Sequence, residues 1–267
     1  MKHKKIILSI ASLVTINSYA QVDLESLLRR YAHYDIVSYI GDFFGPIKLK
    51  NRIISYGFTE YYLEDGKLMS KDQFCFSEYK ANIPFQAKTD DKFTRAIEPE
   101  VVEMEFMQTN GEILIHRPET PTLLGVELDD YTQDFPTDPN DPRFIDADDD
   151  GKPGVTVNLT FKPFVDEELY IARKEIFSYD LKKMKNGILA GTVRDRSQQY
   201  IIGASKKDLV TQSNPIQNPD LKKSPIYLIP LKDRDLEIDC DELKIKRKSY
   251  FPNRDRSHKG FYRWYEK

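Results

Sequence analysis

Three aspartates at alternate positions are the residues whose spacing points most directly to a chemistry. Asp146, Asp148 and Asp150 lie in the segment DADDDGKPGVTV and are followed at once by Gly151. EF-hand calcium loops place carboxylates at positions 1, 3 and 5, a glycine turn at position 6 and a backbone carbonyl at position 7, which here belongs to Lys152. The spacing therefore predicts a Ca²⁺ site formed by the three carboxylates and the carbonyl of Lys152.

The second half of this segment departs from the EF-hand. Position 12 carries Val157 instead of a bidentate glutamate, and the run Val155–Phe161 is rich in β-branched residues. We therefore expect the loop to lead into a β-strand and the remaining ligands to come from water or from another segment. The alternative is a solvated acidic loop that binds no ion.

The N-terminus predicts export from the cytoplasm. Residues 1–20 combine an early lysine cluster, an apolar segment from Ile6 to Ile16 and small residues at Ser18 and Ala20, which is typical of a secretory signal peptide. An uncleaved anchor is the alternative. No later window approaches the roughly 20 apolar residues of a membrane helix, so we expect no transmembrane segment after cleavage and a periplasmic or secreted location.

Composition and cysteine content fit an exported domain. The chain has 267 residues, a formal net charge of −3 and 40% hydrophobic residues, which suits one large domain over residues 21–235 followed by a tail over residues 236–267. In an oxidising compartment the two cysteines, Cys75 and Cys240, predict one disulfide, with two free buried thiols as the alternative.

Periodicity indicates an all-β fold. Residues 22–34 have helical spacing and predict a short amphipathic N-terminal helix, whereas strand signals follow it along the chain. The predicted hairpins join 52–63 to 67–79, 101–107 to 112–116, and 168–179 to 188–193, and further strands are predicted at 155–161, 200–204 and 225–229. About eight to ten strands favour an antiparallel barrel, with a calycin or lipocalin type allowed and a sandwich as the alternative.

The C-terminal segment is basic and aromatic. Cations that could hold a polyanion interleave there with tyrosine, phenylalanine and tryptophan. These candidate polyanion-binding residues are Lys246, Arg247, Lys248, Arg254 and Arg256. An exported protein seldom meets nucleic acid, so an envelope polymer is the expected partner and nucleic acid is not. The alternative is a tail partly packed along the barrel, with its cations solvated.

Sequence motifs of common enzymes are absent. The chain has no HExxH zinc motif, no GxSxG nucleophile elbow and no phosphate-binding glycine loop, so we assign no catalytic residue and expect a protein that is not an enzyme. A hydrolase using the Asp146 loop is a third, less favoured hypothesis, because a cation holds its carboxylate ligands ionised and makes them poor bases.

Several segments resemble an uncharacterised family of bacterial secreted or envelope β-barrel proteins. The resemblance rests chiefly on the DxDxDGxPGVTV loop and extends to about Leu231. The supporting segments are QFCF (73–76), IPF (83–85), ELYIARKE (168–175) and YIIGAS (200–205). It implies a barrel with a cation-binding loop and no established activity.

Two roles follow as expectations. The first is a structural or interaction module of the cell envelope with a calcium-type loop. The second is a lipocalin-like carrier whose barrel encloses a small apolar ligand, to which the surplus of Tyr and Phe would contribute.

Overall fold

The computed structural model describes residues 24–44, 47–82, 86–109, 112–161, 165–212 and 216–252. The predicted signal peptide, Arg254 and Arg256 lie outside these residues. Within them the chain forms one sheet of thirteen strands. The strands are β1 (Arg30–Phe44), β2 (Ile47–Glu64), β3 (Lys67–Ala81), β4 (Gln86–Thr89), β5 (Glu100–Glu103), β6 (Glu105–Thr109), β7 (Glu112–Leu124), β8 (Val155–Phe161), β9 (Val165–Lys183), β10 (Leu189–Asp195), β11 (Gln198–Ala204), β12 (Ile216–Gln217) and β13 (Pro225–Pro230).

Helices are few and short. The α-helices are α1 (Asp91–Arg95) and α2 (Cys240–Tyr250), and 3₁₀ turns occupy Glu25–Leu27, Lys207–Leu209, Leu221–Lys223 and Asp233–Asp235. In the part of the chain that the structure describes, no helix has both the length and the apolar composition needed to span a membrane.

The pairing of these strands is antiparallel throughout, which confirms the all-β prediction. The main path runs β4-β8-β9-β10-β13-β1-β2-β3-β5. Strand β9 pairs with four other strands. One edge of β9 pairs with β8 and β7, and the other edge pairs with β11 and β10.

The ladder does not close on itself among the described residues. Side chains meet across the open seam between β3 and β4, where Ser77 Oγ lies 3.1 Å from Thr89 Oγ1. A closed barrel therefore stays a prediction.

The three predicted hairpins are confirmed. β2 turns into β3 at Asp65 and Gly66, both with positive φ, and β9 turns into β10 at Gly187. β6 pairs with β7, while the turn residues 110–111 lie outside the described residues. The strand predicted after the aspartate loop is β8, and the strands predicted at 200–204 and 225–229 are β11 and β13.

The predicted N-terminal helix is wrong. Residues 25–27 form one 3₁₀ turn, and strand β1 begins at Arg30. Tertiary pairing decides this segment, because β1 bonds along one edge to β2 and along the other to β13. Its alternate residues are buried on both faces: Tyr31 and Val37 face the sheet interior, whereas Tyr34 and Ile36 pack with the segment that leads into α2 and with α2 itself.

Residues 240–250 of the predicted C-terminal tail form helix α2, which packs against the sheet. Asp239 caps α2 by accepting from the N–H groups of Asp241 and Glu242. Leu243 is fully buried in a cluster with Tyr56 of β2. The predicted Cys75–Cys240 disulfide is confirmed, with an S–S distance of 2.03 Å, and it joins β3 to the first residue of α2.

Candidate cation loop and interior cavity

The aspartate loop is closed at its base and pressed against β9. Gly154 N donates to Ile145 O at 2.8 Å, and Ala147 N donates to Gly154 O at 2.9 Å. Gly154 has φ +83°, and a Cβ there would lie 2.3 Å from Ile171 O of β9. Only glycine allows this backbone conformation and this close approach together, so the end of the loop is held against the backbone of β9 at Ile171.

The structure brings the three predicted carboxylates together. One oxygen from each of Asp146, Asp148 and Asp150 lies within 4.8 Å of the others. Asp146 accepts from Asp150 N at 3.1 Å and from Gly151 N at 2.7 Å, which folds the loop back over its first carboxylate. Gly151 has φ +83°, as the predicted turn requires.

Asp148 is the buried member of the group. Its side-chain Oδ2 accepts from Thr156 N at 2.9 Å, whereas Oδ1 is buried without a hydrogen-bond partner. The residue is 5% exposed. Burial raises the pKa of Asp148, the hydrogen bond from Thr156 opposes this shift, and the charges of Asp150 and Asp146 add to it.

The remaining predicted ligands are Asp150 and Lys152. Asp150 accepts from Lys152 N at 3.0 Å and from Thr156 Oγ1 at 2.5 Å. The ammonium of Lys152 pairs with Glu168 on β9 and lies 5.1 Å from the ring centre of Tyr170. The Lys152 side chain is thus directed to β9, and the role of its main-chain carbonyl as a ligand stays a prediction.

A cavity of about 480 Å³ lies inside the curled sheet. Its volume falls within the range of small-molecule sites. Apolar side chains from five strands form much of its wall, namely Val37, Ile53, Phe74, Leu159, Ile171 and Phe177.

One group of charged residues in this apolar wall surrounds Arg173. Arg173 is 8% exposed and binds Glu175 through Nε at 2.5 Å and Nη2 at 3.2 Å. Asp195 accepts from the hydroxyl of Tyr39 at 2.8 Å. Burial, reinforced by the charge of Glu175, raises the pKa of Asp195.

A second polar group at the cavity wall is the pair His33 and Asp35. His33 Nε2 lies 2.9 Å from Asp35 Oδ2, and Nδ1 lies 2.8 Å from Thr59 Oγ1. The Thr59 hydroxyl donates its single proton to Asp72, so Nδ1 of His33 must donate to Thr59.

The chain of contacts continues away from the cavity to Arg117. This guanidinium donates to Asp72 through Nε at 2.9 Å, pairs with Glu100 through Nη2 and stacks 4.1 Å from the ring centre of Phe177. Arg117 and Asp72 have no side-chain exposure. Burial raises the pKa of Glu100 to about 7, although Arg117 opposes the shift.

Two of the three described candidate polyanion-binding residues lie close to carboxylates. Lys246 lies 3.5 Å from Glu242 and 3.8 Å from Asp235, and Arg247 lies 3.7 Å from Glu78. Lys248 is exposed in the last turn of α2. The carboxylates that surround the first two cations reduce the positive charge available to an external partner.

Sequence reasoning missed the buried polar chain and the charged part of the cavity. The helix predicted over residues 22–34 contains His33 and ends just before Asp35. That prediction does not place the two side chains on one face of a strand. A usable signal was present for Arg117 and Arg173, because each is a cation at an inward position of an apolar, alternating strand. Comparisons with protein-family models, with curated proteins and with solved structures returned no match.

Proposed function

We propose that this chain is an exported, non-enzymatic β-sheet protein that binds Ca²⁺ at the Asp146 loop and serves as a structural or interaction module of the cell envelope. The observation that carries the cation site is Asp148 Oδ1, a buried carboxylate oxygen with no hydrogen-bond partner beside two further carboxylates. A buried anionic oxygen without a partner is costly, and a cation bound there removes that cost.

The donor set favours Ca²⁺ over softer metals. Carboxylate and carbonyl oxygens suit hard cations, and the described residues bring no cysteine or histidine into the cluster. Ca²⁺ binds oxygen at about 2.3–2.6 Å, so two ligands on opposite sides of the ion lie about 4.8 Å apart. The three carboxylates lie within that limit.

The position of the loop suggests what the cation stabilises. The loop leads directly into β8 through Thr156, whose N–H and hydroxyl bind Asp148 and Asp150. A bound ion would therefore fix the start of β8 against β9. In this proposal the curled sheet is a barrel, and the bound ion holds β8 to β9 at one end of it.

Thermal unfolding with Ca²⁺ and with chelator tests this role. We expect saturating Ca²⁺ to raise the Tm of the mature chain by about 5 °C or more over chelator. Asp148→Asn should abolish most of this rise, and calorimetric titration should show weaker Ca²⁺ binding.

The matched control is Asp149→Asn, at the exposed residue that lies between two members of the cluster and has φ +56°. Asparagine tolerates that conformation, so this variant should retain the Ca²⁺-dependent rise. Equal Tm values of the unsubstituted protein in Ca²⁺ and chelator would show that the loop binds no stabilising calcium.

The second candidate function is carriage of a small apolar ligand, and the interior cavity favours it. A volume of about 480 Å³ with a largely apolar wall suits a compact organic molecule. Native mass spectrometry of freshly purified protein should then show a retained ligand, which denaturation releases. An apo mass, together with no binding of apolar probes, would remove this candidate.

A further inference from the structure

The charged groups at the cavity wall differ in what they can still bind. Arg173 directs Nε and Nη2 to Glu175, and its Nη1 lies 3.4 Å from Gln199 Oε1. His33 directs its ring nitrogens to Thr59 and Asp35. Three of the five N–H groups of Arg173 and both ring nitrogens of His33 therefore face protein partners, which limits the donors that the wall offers to a ligand carboxylate.

The carboxylates of Glu175 and Asp195 can accept further hydrogen bonds. Glu175 Oε2 lies 3.1 Å from Ser197 Oγ, and the same hydroxyl lies within hydrogen-bond distance of Asp195 Oδ1. A serine hydroxyl carries one proton and serves only one of these two oxygens at a time. Each oxygen has one other donor, Arg173 Nη2 for Glu175 and Ser197 N for Asp195. The oxygen that the hydroxyl does not serve therefore keeps an unused lone pair.

The charged groups of this cluster also favour a cationic ligand. Glu175 and Asp195 place two carboxyl groups beside the single guanidinium of Arg173, in a cluster where Tyr39 contributes a hydroxyl. An ionised carboxylate there repels a ligand anion, whereas it would pair with an ammonium group.

We propose that the cavity binds a primary amine with an apolar body, with its ammonium group between Glu175 and Asp195. An ammonium has three donors and no acceptor, which matches a site with unused acceptors. The apolar body would lie along Val37, Ile53, Leu159 and Phe177. This inference rests on the carrier function proposed above and adds the class of ligand.

Calorimetric titration with three eight-carbon probes tests the ligand class. Octylamine, octanol and octanoate share one apolar chain and differ in the head group. At pH 7, with Ca²⁺ present, we expect the mature protein to bind octylamine about tenfold more tightly than octanol, because its hydrogen bonds to carboxylate are charge-assisted. Octanoate should bind most weakly.

Two substitutions locate the head group. Asp195→Asn and Glu175→Gln each remove one negative charge at nearly constant shape, and each should reduce the preference for octylamine over octanol to about twofold or less. Octanol binding should be unchanged. Asp208→Asn, which alters an exposed carboxylate outside the cavity, should leave the tenfold preference intact.

The outcomes separate this inference from the carrier function. Equal binding of all three probes, or tightest binding of octanoate, would overturn the amine preference and leave the carrier function standing. Failure of every probe to bind would overturn both. Because the comparison of probes uses the unsubstituted protein, it holds even if one variant does not fold.

Discussion

The guanidinium of Arg117 donates from Nε to Asp72 Oδ2 at 2.9 Å, and neither side chain is exposed to solvent. The two residues come from β7 and β3, strands that do not pair with each other in the sheet. Glu100 of β5, the strand that pairs with β3, binds the same guanidinium. The buried ionic group thus links β7 to β3 and β5, two strands with which β7 does not pair in the sheet.

We predict that Arg117→Met lowers the free energy of unfolding by about 3–5 kcal/mol, because it leaves two buried carboxylates without their cation. Urea unfolding measures the change. The control is Arg196→Met, which breaks the exposed pair with Glu119 and should cost only about 0–1 kcal/mol. Similar losses in the two variants would contradict a special role for the buried pair.

Glu100 should make stability depend on pH. Its folded pKa is raised from 4.5 to about 7, so the folded state holds the proton more tightly than the unfolded chain does. The stability from this group is fully present below pH 4.5 and is lost as pH rises through about 7, with a total on the order of 3 kcal/mol.

Urea midpoints measured between pH 5 and pH 8 test this dependence. Glu100→Gln keeps an oxygen for Arg117 but cannot titrate, so the decline in midpoint should be smaller in this variant. Other groups contribute to the profile of both proteins, and the informative quantity is the difference between the two profiles. Parallel profiles would show that Glu100 does not titrate in this range.

The disulfide should contribute strongly because it closes a long loop. Cys75 and Cys240 are separated by 165 residues, and the chain-entropy model gives about 4 kcal/mol or more for a loop of this length. Reduction should therefore lower the urea midpoint. The double variant Cys75→Ala/Cys240→Ala should unfold at a similarly low midpoint and should not respond to reductant, because the chain has no other cysteine.

Two glycines of the aspartate loop allow a matched comparison. Gly151 and Gly154 both have φ +83°, but an added Cβ meets nothing within 4 Å at Gly151 and lies 2.3 Å from Ile171 O at Gly154. Gly151→Ala should cost about 1–2 kcal/mol for its backbone conformation alone. Gly154→Ala should cost more, since the loop must also move away from β9.

Thermal and urea unfolding of the two glycine variants, each measured with Ca²⁺, give the comparison. If the close approach of Gly154 to β9 positions Asp148, Gly154→Ala should also bind Ca²⁺ more weakly than Gly151→Ala. Equal stability of the two variants would mean that the contact with Ile171 does not constrain the loop.

The sequence by itself determined the features that depend on neighbouring residues. Asp65 and Gly66 make the β2–β3 turn through their own conformations, and Asp146 to Gly151 fold into a compact loop through hydrogen bonds among themselves. The Cys75–Cys240 bridge was also predictable, although it spans 165 residues, because the chain contains only these two cysteines.

Tertiary structure decided the features that depend on distant strands. The segment after Leu27 fits a helix or a strand by its own pattern, and pairing with β2 and β13 selects the strand. The contacts of Arg117 and the cavity volume likewise arise only when separate strands meet. Local sequence patterns record which face of an element is buried, but they do not record which distant side chain lies opposite or how much space the packed side chains leave.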